Sequence, residues 1–137
     1  MDLTLRPPPP ARARAMRHRL LARVADADAT HLTIDAQDGE WQPFLPGVRI
    51  KVLREQAGVL SYLLELQPGA SLPPHRHRVD EECVVVSGRI RVGTQHAVQS
   101  GGYHLAHAGA LHAQVHTDTG ALIFLRGAIP GFDDLLE

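Results

Sequence analysis

Cysteine occurs once in these 137 residues, at Cys83, so no disulfide can close within the chain and a disulfide-stapled scaffold is excluded. Aromatic residues are nearly as scarce. Three Phe, two Tyr and one Trp leave too few rings for a sheet that reads RNA by stacking bases. No apolar run approaches the ~20 residues of a membrane-spanning helix. Arginines interrupt the N-terminal stretch up to Arg23, which does not suit a secretory signal, and a cytoplasmic location is expected. Lysine also occurs once, at Lys51, against thirteen arginines. The rest is ordinary for a globular domain, with 44% hydrophobic and 21% charged residues in a chain that fits one core.

The formal net charge of -1 conceals a division. Arg6, Arg12, Arg14, Arg17, Arg19 and Arg23 oppose a single Asp2 in the first 25 residues, whereas the remainder holds eight basic and fourteen acidic residues. A basic arm can bind nucleic acid. This one is short and has no aromatic residue for base stacking, so no direct nucleic-acid binding is expected. Pro7 to Pro10 form a stiff leader. From Ala11 to Ala25, Met16, Leu20 and Val24 recur every four positions between arginines, which predicts one amphipathic helix with a narrow buried stripe. Residues 1–30 are thus read as a basic leader and helix, 31–130 as the main folded domain, and 131–137 as an acidic tail.

Beyond Trp41, short runs of β-branched and aliphatic residues are punctuated by Gly, Pro and Asp. Strands are predicted at residues 48–54, 58–67, 82–87, 89–93, 103–106, 112–117 and 121–126, with a short edge strand at 31–35. Turns are predicted at Pro46-Gly47, Pro68-Gly69, Ser87-Gly88, Ser100 to Gly102 and Thr119-Gly120. Short strands roughly ten residues apart, with no helical period between them, predict an all-β antiparallel sandwich or barrel.

Against these scarcities stand nine histidines, and their spacing separates them. In an extended strand, residues two apart point to one face about 6.6 Å apart, so His75 and His77 can aim both imidazoles at one point. Pro73-Pro74 stiffens the approach, and Glu81 follows one short turn later, where it can supply an oxygen. Two imidazoles and a carboxylate suit zinc, iron, manganese or nickel. The His-x-His pair alone is a short motif that needs context. His112, Gln114 and His116 would share a strand face and could line the same site, with His104 and His107 as further neighbours. His18, His31 and His96 read as solvated. Glu82 points away from Glu81 and reads as solvated, Tyr62 and Tyr103 could contact a ligand but read first as sheet packing, and Cys83, leading into three valines, reads as an inert core thiol.

The context is Gly69, five residues, His75-x-His77, three residues, Glu81, six residues and Gly88. At each of these positions the chain resembles the first motif of the cupin superfamily. The second cupin motif is matched by Gly101, Gly109 and His112, with His107 where proline is usual and His116 where an Asn stands. That departure at His107 loosens the turn and leaves His112 in register. The resemblance implies a double-stranded β-helix, or jelly roll; with the helix before it, the fold class is all-β with a short N-terminal helix. It also implies a divalent metal, zinc foremost, held by His75, His77, Glu81 and His112. Strand geometry reaches the first three, and His112 comes from the resemblance. Three neutral imidazoles and one carboxylate would leave the ion a net positive charge, able to polarise a ligand oxygen or acidify bound water.

A narrower resemblance runs through Trp41-Gln42-Pro43, Pro46-Gly47-Val48-Arg49-Ile50-Lys51-Val52-Leu53, Leu63-Leu64-Glu65-Leu66, Pro68-Gly69-Ala70, Glu81-Glu82 and Val86-Ser87-Gly88. These segments are similar to the ChrR-type cupin, the C-terminal domain of ChrR-type zinc anti-sigma factors, which also occurs in stand-alone bacterial proteins. Those factors hold their sigma factor with a helical domain whose zinc site uses His and a Cys-x-x-Cys pair. With Cys83 alone, sequestration by that route is not expected. The resemblance implies a sensor or regulatory cupin with a small molecule or oxidant in the cup, and a homodimer. The alternative is an iron-dependent dioxygenase resembling acetylacetone-cleaving cupins, acting on a small diketone or hydroxyaryl ketone, although such enzymes often use three histidines without the carboxylate. A metal-free sugar epimerase of the jelly-roll type would need a His-Tyr pair, and the intact ligand set counts against it.

Overall fold

Proline is tolerated at the first helical position, where its missing N–H would have no intrahelical partner. Helix α1 (Pro10–Asp28) accordingly begins at the last proline of the leader, and the Ala13 N–H bonds to the Pro9 carbonyl at 2.9 Å. The structure is a computed structural model that describes residues 6–28 and 30–128. The chain divides into two compact units, Met1–Thr33 and Ile34–Glu137. The expected stripe on α1 is not buried: Met16 is 48% exposed, Leu20 61% and Val24 47%. Four-residue spacing defines a face without specifying a cover for it. The predicted acidic tail at 131–137 lies outside the described residues. Among those described, no helix is long and apolar enough to cross a membrane.

The second unit is built from strands. In chain order these are β1 (Gln42–Leu45), β2 (Val48–Gln56), β3 (Val59–Leu66), β4 (Ser71–Leu72), β5 (His75–Arg76), β6 (Glu81–Val92), β7 (His96–Gln99), β8 (Tyr103–Ala106), β9 (Leu111–His112), β10 (Val115–His116) and β11 (Ala121–Gly127). Among the described residues, one sheet follows the path β1-β2-β3-β11-β6-β10-β4, with β7 and β8 also on β6, and a separate pair joins β5 to β9. The pairings are antiparallel and fold into the nearly closed barrel of a double-stranded β-helix. Alternation places Tyr62, Leu64 and Leu66 of β3, Glu81, Cys83 and Val85 of β6, and Ile123 and Leu125 of β11 on the buried face, with Val48, Ile50, Ile90, Val92 and Val115 completing the core.

Strand β6 corrects the expectation of a turn at Ser87-Gly88, because the chain continues through both residues as one strand. Its first half pairs with β11 and β8, its second with β7 and β10, so one strand serves both layers of the barrel. The change of layer is made by a register slip beside Leu122 and Ile123 and by Gly88 at φ 79°. A Cβ on Gly88 would lie 2.2 Å from the Gly120 carbonyl oxygen, so glycine is required by contact as well as by conformation.

Other boundaries also differ. The strand expected at 112–117 is two short pieces, β9 and β10, while β1 and β7 emerge from segments without clear alternation. Residues 31–35 are not a strand. The Asp38 N–H bonds to the Asp35 carbonyl at 2.9 Å and the Asp35 N–H to Asp38 Oδ2 at 3.2 Å, closing a turn instead. The lone lysine anchors this turn: Lys51 Nζ, in a residue only 2% exposed, donates to the Asp35 and Ala36 carbonyls at 3.3 Å each.

Candidate metal centre

The short β5–β9 pair sets His75 directly opposite His112. Their rings stack with centroids 4.8 Å apart, and the His77 ring stands edge-on to His75 at 4.4 Å and to His112 at 6.0 Å. Glu81 enters from the start of β6, and its Oε2 lies 2.9 Å from His77 Nε2. All four residues are buried. The ligating atoms of His75, His77 and Glu81 fall within 4.8 Å of one another, a cluster that can hold a metal ion. A backbone clamp steadies the loops: the Gly109 N–H bonds to the His77 carbonyl at 2.9 Å, and Arg76 Nη1 donates to the Gly109 carbonyl at 2.9 Å.

Hydrogen bonding sets the tautomers. Nδ1 lies 2.7 Å from the Pro73 carbonyl in His75, 3.2 Å from the Ala128 carbonyl in His77 and 2.7 Å from the Ala113 carbonyl in His112. A carbonyl oxygen only accepts, so each Nδ1 carries a hydrogen, and in the neutral ring Nε2 keeps its lone pair. That is the ligand form of imidazole, with the second nitrogen fixed by a backbone acceptor. Burial, reinforced by the neighbouring imidazoles, holds His75 below its ordinary value although the Pro73 hydrogen bond opposes this, and so favours the neutral ring. With Nδ1–H turned to a carbonyl, His77 would present a lone pair to a carboxylate at 2.9 Å, an arrangement that a cation between the two groups relieves.

The remaining candidates separate. His104, opposite Cys83 on β8, is half-buried and sets its ring edge-on to His112 at 5.3 Å. Burial, and then His112, lowers its pKa. His116 is turned elsewhere, with Nδ1 2.7 Å from Ser71 Oγ and Nε2 3.0 Å from Asp118 Oδ1. Gln114 is exposed, so the shared face expected for residues 112, 114 and 116 does not form: the break between β9 and β10 turns Val115 inward instead. His107 is exposed, 4.0 Å from Asp80, and His18, His31 and His96 are solvated. Glu82 is on the outer face, as expected, but accepts a hydrogen bond from Tyr103 Oη at 3.0 Å. Cys83 is buried, and desolvation, with the Glu81 charge, pushes its thiol up to about 12.

The sequence reads Tyr62 first as sheet packing and gives no sign of its bond to Glu81. Tyr62 points inward, and its hydroxyl donates to Glu81 Oε2 at 3.2 Å. Burial first, then Glu81, raises its pKa well above the ordinary value, so the phenol is a donor. A cavity of about 260 Å³ opens beside His112, walled by His104, Leu105, Leu111 and Val92. A larger one, about 370 Å³, lies among Asp80, Glu82, Tyr103 and Arg126 and includes none of the metal-site residues.

A jelly-roll barrel carrying a buried His-x-His and Glu cluster defines a cupin. Residues 29–128 match the ChrR Cupin-like domain, and the chain belongs to that family. No curated protein matches the sequence. Among solved structures, the chain is similar to a putative acetylacetone dioxygenase from Methylibium petroleiphilum PM1 (TM-score 0.66, 17% identity, covering 81% of this chain and 89% of that one). It is similar to an acetylacetone dioxygenase from Acinetobacter johnsonii (TM-score 0.62, 15% identity, 93% and 80%). It also matches a chain in the complex of Rhodobacter sphaeroides SigE with the anti-sigma ChrR (TM-score 0.59, 17% identity, 85% and 80%). At these identities the likeness establishes the fold.

Proposed function

We propose that this chain is a metal-binding cupin of sensor or regulatory type, in which His75, His77, Glu81 and His112 hold a divalent ion, zinc in the resting protein. The observation that carries this reading is that three buried imidazoles each set Nδ1 against a backbone carbonyl, which in the neutral ring makes Nε2 the ligating nitrogen. Glu81 offsets one positive charge of the ion, and the stacked pair His75 and His112 ties β5 to β9. Bound there, the ion would supply Lewis acidity toward a small molecule or oxidant in the cup. The reading includes a homodimer, which light scattering tests directly.

The cavity beside His112 favours a second reading. Its volume of about 260 Å³ and its mixed wall of imidazole and aliphatic groups suit a small diketone, the substrate class of an iron-dependent dioxygenase. Elemental analysis of the purified protein, paired with oxygen uptake on β-diketones after iron reconstitution, separates the two. The sensor reading expects stoichiometric zinc and no uptake. Iron-dependent uptake at catalytic rates would replace it with the enzyme reading, and a protein that retains no divalent metal after chelator-free purification and zinc addition would sink both.

A further inference from the structure

Strand β11 separates β3 from β6, and the register sets Tyr62 opposite Leu125 and Leu125 opposite Cys83. A phenol serving only to pack would end against Leu125. Instead the Tyr62 hydroxyl passes diagonally over β11 to Glu81 Oε2 at 3.2 Å. The next inward position on β11 after Leu125 is Gly127, where a Cβ would lie 3.2 Å from the Asp80 carbonyl oxygen and 3.3 Å from Glu81 Cβ. The missing side chain keeps the space beside the Glu81 stem open. Tyr62 is 2% exposed and Glu81 4%, so water does not compete for the bond.

Glu81 Oε2 therefore accepts from the phenol at 3.2 Å on one side and faces His77 Nε2 at 2.9 Å on the other. A carboxylate on a flexible side chain has several rotamers and two equivalent oxygens. Burial and one hydrogen bond select the rotamer that meets His77, and the phenolic proton draws electron density from the oxygen that receives it. Tyr103, the other tyrosine, makes a similar bond to Glu82 on the outer face at 3.0 Å. It does so away from the imidazoles and supplies an internal control.

We infer that Tyr62 is the positioning residue for the carboxylate ligand of the metal centre, orienting Glu81 toward the ion through a buried phenol-to-carboxylate hydrogen bond. The inference rests on the metal-site reading above. Its test is the titration of metal-free protein with Co²⁺, read by the ligand-field absorption bands and by competition with a chelator. Tyr62→Phe should weaken Co²⁺ binding by about 10-fold to 100-fold, the range typical of groups that hydrogen-bond a metal ligand, and should shift the bands. Tyr103→Phe should change neither. Native-like affinity and bands in Tyr62→Phe would overturn the inference and leave the metal site standing. Absence of Co²⁺ and Zn²⁺ binding by the native chain would overturn both. Should Tyr62→Phe not fold, the Tyr103→Phe protein leaves Tyr62 as the only tyrosine, and Zn²⁺ loading should perturb its ultraviolet absorption. An unperturbed band would refute the assignment.

Discussion

Replacing His112 by alanine distinguishes a four-ligand site from a three-ligand one. His112 is buried, pairs with His75 across β5 and β9, and stacks on its ring at 4.8 Å. Structural zinc in four-ligand sites contributes about 10–16 kcal/mol, or about 2.5–4 kcal/mol per ligand if shared equally. Loss of one imidazole should then weaken zinc binding by about 60-fold to 700-fold, at 1.4 kcal/mol per factor of ten. With free zinc well above both dissociation constants, the zinc-dependent stabilisation falls by the same amount. For a domain of this size that is about 10–30 °C in the zinc-induced shift of the unfolding midpoint. The assay is chelator competition together with thermal unfolding in zinc and in chelator. The difference between the two midpoints cancels the packing cost of losing the ring, which affects both. His104→Ala is the matched control, since that ring sits 5.3 Å from His112 and outside the proposed ligand set. Native affinity in His112→Ala, or an equal loss in His104→Ala, would refute the four-ligand assignment.

Burial lowers the pKa of both His75 and His104, so the unfolded state binds more protons near and below pH 6.5 and stability should rise with pH through that window. Urea midpoints of metal-free protein at pH 5 and pH 7.5 check this, and an equal or higher midpoint at the acid end would contradict it. Cys83, with its thiol pushed up to about 12 by desolvation and Glu81, should resist iodoacetamide at pH 8 until the protein unfolds; prompt alkylation of the native state would be inconsistent with its place in the core. Gly88→Ala should cost well over the ~1–2 kcal/mol of a left-handed alanine, because its Cβ would meet the Gly120 carbonyl at 2.2 Å. Gly101→Ala, at φ 85° with no atom within 4 Å of its Cβ, should cost only that conformational part, and denaturant unfolding that ranked the two alike would show the contact at Gly88 to be soft.

How far a residue's role could be read depended on the range of the interactions that define it. His75, His77 and Glu81 lie within seven consecutive residues, so extended-strand geometry alone brought them together. His112 sits 35 positions after His77 and was reached by motif resemblance, not by geometry. His116 was expected to follow it along one strand, but the break between β9 and β10 cancels the alternation on which that expectation rested. Ser87-Gly88 has the composition of a turn and is instead the point where β6 passes between layers, because the glycine answers a close contact with Gly120 and not a reversal of the chain.

Composition and spacing by themselves determined the strand-rich class, the N-terminal helix, the inert setting of Cys83 and the motif that carries the candidate ligands. All are local properties, written in periods of two or four residues and in short fixed intervals. Tertiary structure decided that His77 Nδ1 meets the Ala128 carbonyl, 51 positions away, whereas the Pro73 and Ala113 carbonyls beside His75 and His112 are only two and one positions from their rings. It also decided that Tyr62 reaches Glu81 across an intervening strand. Hydrogen bonds between residues remote in sequence depend on register and on the space left by neighbours such as Gly127, and neither is expressed until the barrel closes.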